Sequence, residues 1–323
     1  MDRREFIKRT VPATAMGLAT IGVTWFFDER DGRGSGRDAK IEEAKIINLA
    51  VPEDLSFPKI VVVNGDNPSL MVETAINELG GIRRFINSTD TVLVKPNIGW
   101  DRVPEQAANT NPEVVKTIVK LCLSAGAKKV IVTDISCNEY VRCFSRSGIK
   151  EAAESAGATV ELPNDAFFKD VNMGGDVLGV RSVYRLYLEA TKIINVPIAK
   201  HHSLTGATLG LKNWYGILGG RRNQLHQHIN ESIADLANFI RPTFVVMDAI
   251  RVLKKNGPQG GNLSDVMQGN CIIAGTDQVA IDAYTAEKFF DLNEHQLSYL
   301  DITHSKGLGN KNYHELSPKE IKL

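Results

Sequence analysis

The stretch "NPEVVKTIVKLCLSAGAKKVIVTD", residues 111–134, decides the fold. Its first half carries both ends of a helix. Asn111 is placed to cap the first turn, Pro112 takes the first helical position, and Glu113 sits near the positive end of the helix dipole. Gly126 stands just past the last apolar turn. The second half, Lys128–Asp134, is a short β-branched run without polar alternation. A strand of that kind is covered on both faces, as in a parallel sheet. A helix joined by a tight turn to such a strand is part of a βαβ unit.

The same alternation extends outward. Strand-like runs occupy 59–65, 91–97, 128–134, 159–162, 191–199, 243–250 and 271–276. Helical spacing occupies 66–81, 111–127, 147–158, 223–240 and 277–290. The pattern predicts an α/β fold, a mostly parallel sheet with helices on both faces. Residues 162–190 break the alternation and predict a small β-rich insertion.

The 323 residues carry 38 basic and 38 acidic side chains. This balance gives no whole-chain electrostatic footprint for nucleic acid, and Arg83-Arg84 and Arg221-Arg222 read as solvated surface. "MDRREFIKR" followed by the apolar run Val11–Phe27 reads as an export signal. Arg3, Arg4, Phe6, Ile7 and Lys8 resemble the bacterial twin-arginine pattern, with Asp2 where Ser or Thr is usual. That implies the twin-arginine translocation machinery as a partner and a location in the periplasm or on the outer face of the cytoplasmic membrane. The run is near the shortest length that crosses a bilayer, so cleaved signal and uncleaved anchor fit equally. The chain then divides into 1–27 signal or anchor, 28–45 flexible tether and 46–323 one α/β domain. Membrane contact is expected only through the N-terminal segment. Cys122 and Cys271 read as core residues. Cys137 and Cys143, flanking "NEYVR", are candidates for a disulfide outside the cytoplasm. Their spacing matches no common zinc or iron–sulfur signature.

In open α/β sheets ligands bind beyond the carboxyl ends of the strands. Strand ends here supply Lys95, Asn97, Asp134, Asn195, Lys200, His202 and Asp248. "KHHSLTGATLGLKNWYGILGG", residues 200–220, adds Thr205, Lys212, Asn213 and Gly216 in a glycine-rich setting that lets backbone approach a ligand. It has neither the Walker order nor a dinucleotide fingerprint, so no NAD site is expected. His201 and His202 could share a metal only from an irregular loop, since strand neighbours face opposite sides. His226 borders the apolar face of the 223–240 helix and is the better inward candidate; His228 reads as solvated.

These residues also resemble a known family. "VLVKPNIGW", the 109–134 segment, "KIINVPIAKHHSLTGATLGLKNWYGILGG" and "DQVAIDAYTAEKFF" together are similar to the domain-of-unknown-function 362 family from roughly Lys59 to Gly309. The resemblance carries over onto Lys95, Pro96, Asn97, Asn195, Lys200, His202, Lys212, Asn213, Gly216, His226, Asp248, Gly257, Pro258 and Asp282. It implies the architecture more than an activity. Many relatives bind ferredoxin-like clusters, but this chain lacks the cysteine run, so no iron–sulfur cluster is expected.

Two readings follow. In the first, the chain is an enzyme acting on a small anionic substrate, a carboxylate or phosphate. Lys95, Lys200 and Lys212 supply charge, and Asn97, Asn195, Thr205, Asn213, Gly216, Asp134 and Asp282 bind or orient the ligand. His202 or His226 acts as acid/base, and Asp248 orients the histidine. His202 and His226 are the candidate ligands of a transition metal, and a lysine is a candidate for covalent adduct formation. In the second, the chain is a non-catalytic ligand-, metal- or redox-partner-binding module tethered at the cell envelope.

Overall fold

The computed structural model describes residues 42–43, 46–292 and 296–323. The twin-arginine-type stretch, and the tether apart from Glu42–Glu43, lie outside the described residues. Strands β1 (Glu42–Glu43), β2 (Ile47–Asn48) and β3 (Ile60–Asn64) lead to helix α1 (Pro68–Glu78). Strand β4 (Thr91–Pro96), helix α2 (Pro112–Ser124) and strand β5 (Lys129–Val132) form the expected βαβ unit. Helices α3 (Tyr140–Arg146) and α4 (Ile149–Ser155) precede β6 (Thr159–Val160). Then come β7 (Phe168–Asn172), β8 (Val180–Tyr184) and the short α5 (Leu186–Glu189). Pro197 alone separates β9 (Lys192–Val196) from β10 (Ile198–His202), and β11 (Gly206–Thr208) and α6 (Gly210–Asn213) follow. The chain continues through α7 (Ile229–Phe239), β12 (Ile240–Arg241), β13 (Phe244–Leu253), β14 (Val266–Gly275), α8 (Gln278–Phe290), α9 (Ser298–Ser305) and β15 (Lys319–Lys322).

Among the described residues, ten strands make one sheet. Eight run in the order β15-β3-β14-β13-β9-β4-β5-β6, and β10 and β11 extend it from β13. Every pairing from β13 across to β6 is parallel. β14 runs antiparallel to both β13 and β3, a reversal that the apolar pattern did not reveal, and β11 is antiparallel to β10. The sheet is two-sided because successive strand residues point to opposite faces. Ile60, Val62, Leu93, Ile193 and Ile273 pack into one core with α7, α8 and α9. Val61, Val63, Val92, Val94, Ile194 and Ile272 pack into the other with α1, α2, α3 and α4. Both alternating sets are apolar, hence the unbroken runs in the sequence.

The α2 start follows the sequence reading: the Asn111 side chain accepts from Glu113 N at 3.0 Å, and Pro112 opens the helix. The insertion forms a separate three-stranded sheet, β1-β7-β8. Its first strand, Glu42–Glu43, falls within the segment expected to be tether.

Two expectations need correction. Residues 223–240 are not one helix. Arg222–His228 form a 3₁₀ segment and the α-helix starts at Ile229. The Leu225 carbonyl, which a continuous α-helix would offer to the backbone four residues on, instead accepts from the Tyr215 hydroxyl and the Ser232 hydroxyl, each at 3.3 Å. Cys137 and Cys143 are both free thiols: Cys143 is buried on α3, while Cys137 is exposed in the preceding loop.

Position decides what a core deletion costs. Ile273→Ala, in the fully buried centre of β14, should lower stability by about 2–5 kcal/mol, whereas Val180→Ala on the exposed side of the small sheet should stay within about 0.5 kcal/mol. Urea unfolding of the two variants measures the contrast.

Candidate functional site

The site owes its position to Pro197. Proline has no N–H to offer a ladder, and beyond it β10 departs from the line of β9. The Pro197 carbonyl accepts from Asp248 N at 2.9 Å, and β10 pairs with the far half of β13, Lys200 opposite Leu253. This carries Lys200 and His202 past the end of β9, towards the loop that follows β4. The stretch 200–208, expected as a loop, is thus a hairpin of β10 and β11. On a strand the adjacent histidines face apart. His201 Nδ1 accepts from Gly257 N at 3.2 Å, while His202 faces a cavity.

That cavity holds about 300 Å³. Asn97, Gly99, Trp100, Asp134 and Cys137 border it from the loops after β4 and β5. Lys200, His202 and Thr208 come from the hairpin, and Lys212, Asn213, Tyr215 and Gly216 from α6 and the turn after it. Arg222 and His226 close it from the 3₁₀ segment.

A directional relay of amides sets this geometry. Lys200 Nζ donates to Asn97 Oδ1 at 2.9 Å, and Asn97 Nδ2 donates to Asn213 Oδ1 at 3.0 Å. Asn213 Nδ2 donates to Asn195 Oδ1 at 2.8 Å, and Asn195 Nδ2 to the Gly210 carbonyl at 2.9 Å. Asp282, wholly buried on α8, accepts from Gly210 N at 2.7 Å and Leu211 N at 2.9 Å, anchoring the first turn of α6. Burial pushes its carboxyl up to about 7 against the pull of those two N–H groups.

The three predicted lysines serve different ends. Lys95 does not face the cavity. It is fully buried, with Nζ 2.7 Å from Asp134 Oδ1 and 3.1 Å from the Pro96 carbonyl, and Asp134 Oδ2 also accepts from Ile98 N. Burial draws the Lys95 ammonium below its usual range while the Asp134 carboxylate opposes the shift. Gly216 permits this pair, since a Cβ there would run into Asp134 Oδ1 and Lys95 Nζ. Lys200 borders the cavity and is also held by the Ala108 carbonyl at 2.6 Å; burial pulls it down to about 7. Lys212 is 7% exposed, and its Nζ lies 4.6 Å from the Tyr215 ring centre. No hydrogen bond or ion pair engages that ammonium among the described residues, and burial pulls it down to about 8.

Hydrogen-bond partners assign the imidazole tautomers. His202 Nδ1 accepts from Leu204 N at 3.2 Å and Thr205 N at 3.4 Å. Burial, reinforced by Lys212, drives its pKa down to about 3, so the ring is neutral with its proton on Nε2. His226 Nδ1 lies 3.0 Å from the Asn223 carbonyl and donates to it, leaving an Nε2 lone pair; burial lowers this ring's pKa too. The rings stack with centres 5.9 Å apart.

Two further expectations change. Asp248 is not an orienter of either histidine: it sits midway along β13, where it accepts from Asn111 N at 2.7 Å and Ile250 N at 3.0 Å. The strand runs on to Leu253, so Asp248 never reaches a strand end. Burial pushes its carboxyl up to about 6. Thr205 is a turn residue whose hydroxyl donates to the Ala207 carbonyl at 2.8 Å. His202 and His226, the candidate metal ligands, both border the cavity. No group of three His, Cys, Asp or Glu side chains suited to a metal occurs among the described residues, and the cavity wall also carries Lys200, Lys212 and Arg222.

Arg222, read from sequence as surface, was missed. It donates to the Tyr215 carbonyl at 3.1 Å, the Ser136 carbonyl at 2.8 Å and Cys137 Sγ at 3.4 Å. Its inward aim depends on the 3₁₀ turn, which no residue pattern announced. Thr208 also borders the cavity, with a buried hydroxyl that has no partner.

The depressed lysine pKa values fix a pH dependence. Folded Lys200 loses its proton near pH 7, whereas the unfolded side chain keeps it towards 10.5. Between those values the unfolded state binds more protons, so stability rises with pH. The urea midpoint should increase from pH 7 to 8.5, and Lys200→Met should flatten that rise. An unchanged slope would remove Lys200 as the titrating group.

The family model described as "Domain of unknown function (DUF362)" matches residues 92–287. A thylakoid-associated protein of Synechocystis sp. is 24% identical over 220 residues, covering 65% of this chain and 66% of that protein. Among solved structures, the lactate racemase apoprotein from Thermoanaerobacterium thermosaccharolyticum aligns at 15% identity with a TM-score of 0.36. The alignment covers 67% of this chain and 54% of the racemase. A Thermotoga maritima protein aligns at 13% identity and a TM-score of 0.34, over 75% of this chain and 60% of its own. The match covers more than half of the chain and takes in every residue that lines the cavity, and the chain belongs to the DUF362 family.

Proposed function

We propose that the cavity binds a small anion, a carboxylate or phosphate, and that the protein is an enzyme acting on it by acid–base chemistry. The observation that carries this reading is Lys212, a buried ammonium with no counter-charge or hydrogen-bond acceptor among the described residues. Burying an unpaired charge is costly, and an anion in the cavity relieves that cost. Arg222 adds a cation that stays charged at any working pH. His202 Nε2–H and the Thr208 hydroxyl add neutral donors, and His226 Nε2 is the lone pair available to accept a proton. Lys200 is both a cavity wall and the head of the amide relay, so ligand charge and scaffold geometry are linked through one side chain.

Anion binding raises the lysine pKa values, so the complex takes up protons where the free lysines are partly neutral. Affinity is highest below about pH 7 and falls as pH rises through 8. In calorimetric titrations with acetate and with inorganic phosphate, Lys212→Met should weaken binding by about tenfold or more, the scale of one hydrogen bond to a charged group. Lys212→Arg should retain affinity and lose part of the pH dependence. Absence of binding by the wild-type protein at pH 6.5 would refute the reading.

Residues 1–27 are the export signal or anchor in this proposal, 28–45 mostly a tether, and 46–323 the cavity-bearing domain. The support is the Arg3-Arg4 pattern before an apolar run, together with a relative described as thylakoid-associated. No helix among the described residues is long and apolar enough to cross a membrane. Replacing Arg3 and Arg4 together by Lys should abolish export in a fractionated bacterial host while leaving cytoplasmic expression intact.

A further inference from the structure

We propose that Lys212 is an amine nucleophile that forms an imine with a small carbonyl-bearing anion, of the 2-oxo or aldehyde carboxylate class. The inference rests on the anion-pocket reading and names the substrate class for it. An imine-forming lysine needs an accessible nitrogen lone pair, a place for the proton it gives up, and a fixed position beside the carbonyl.

Only one of the two cavity lysines meets the first need. Lys200 Nζ is committed to Asn97 Oδ1 and the Ala108 carbonyl. Lys212 Nζ has the Tyr215 ring face beneath it and no acceptor among the described residues. Burial also brings its deprotonation to about pH 8, within reach of neutral solution. The second need falls to His226. Its ring meets the same Tyr215 ring edge-on at 5.4 Å, so the amine and the Nε2 lone pair flank one aromatic side chain on the same cavity. The third is met by pinning on both sides: Asp282 holds Gly210 and Leu211, and Asn195 holds Asn213. Arg222 and Lys200 remain for the carboxylate.

The step balances without an oxidant or reductant. The Lys212 ammonium passes one proton to His226 Nε2. The amine lone pair then bonds to the carbonyl carbon, and the C=O π pair moves to oxygen. A second nitrogen proton moves to that oxygen, giving a carbinolamine. The His226 imidazolium protonates the hydroxyl, which departs as water while the nitrogen lone pair forms C=N. The product is a protonated imine and one water.

The test incubates the full-length protein with glyoxylate or pyruvate and sodium cyanoborohydride, followed by intact mass and peptide mapping. One reduced adduct on Lys212 is expected, absent in Lys212→Arg and formed more than tenfold more slowly in His226→Gln. Adduct spread evenly over lysines, adduct on Lys200 alone, or no adduct overturns the proposal. Acetate titration of the same samples separates the two readings. Acetate binding without an adduct defeats the imine and leaves the anion pocket standing; neither binding nor adduct defeats both.

Discussion

Four oriented hydrogen bonds, from Lys200 through Asn97, Asn213 and Asn195 to the Gly210 carbonyl, hold the site to the fold. Each amide donates with nitrogen and accepts with oxygen, so every link fixes the orientation of the next. The relay joins four separate pieces of chain: the β10 strand, the loop after β4, the α6 turn and β9. Asp282 then anchors α6 from a fifth, α8. Buried polar groups are costly when partly satisfied and restrictive when fully satisfied. This network is satisfied link by link, which explains why Asn195 occupies a buried β9 position that a parallel sheet would otherwise fill with an apolar side chain.

The electrostatics divide along the same line. Charges that serve the scaffold are paired internally: Lys95 with Asp134, and Asp248 and Asp282 with backbone N–H groups at helix starts. The two lysines that face the cavity are left without a carboxylate partner among the described residues. Lys200 has only neutral acceptors, and Lys212 has an aromatic face. Burial without neutralisation lowers both pKa values, and the same burial keeps the two imidazoles uncharged. The cavity therefore combines cationic charge with two neutral rings of opposite tautomer, one presenting Nε2–H and the other an Nε2 lone pair. That pairing suits proton movement next to a bound anion.

Much of the fold was legible because its causes are local. The Asn111-Pro112 cap, the β-branched strands and the 162–190 departure all act within a few residues of where they are written. Strand ends drew attention to Asn97, Lys200 and His202, and the glycine-rich stretch 200–220 to Lys212; the four do share one cavity. Legibility failed where a residue's role depends on a partner far along the chain. Lys95 looks like a free cation until Asp134, 39 residues on, takes it. Asp248 looks like a strand-end carboxylate until β10 prolongs the sheet beside β13. Arg222 looks solvated until the Leu225 carbonyl is diverted and the chain coils as 3₁₀.

The sequence by itself determined the α/β architecture, the two-sided sheet and the set of polar residues from which a site could be drawn. Period, caps and unbroken apolar runs are properties of neighbouring residues and need no tertiary contact to be read. Only the tertiary structure decided which lysine is paired and which is left facing a cavity, which imidazole nitrogen bears the proton, and that β14 runs antiparallel. Those outcomes depend on burial and on partners brought from distant strands, and neither is written in the local sequence of the residue concerned.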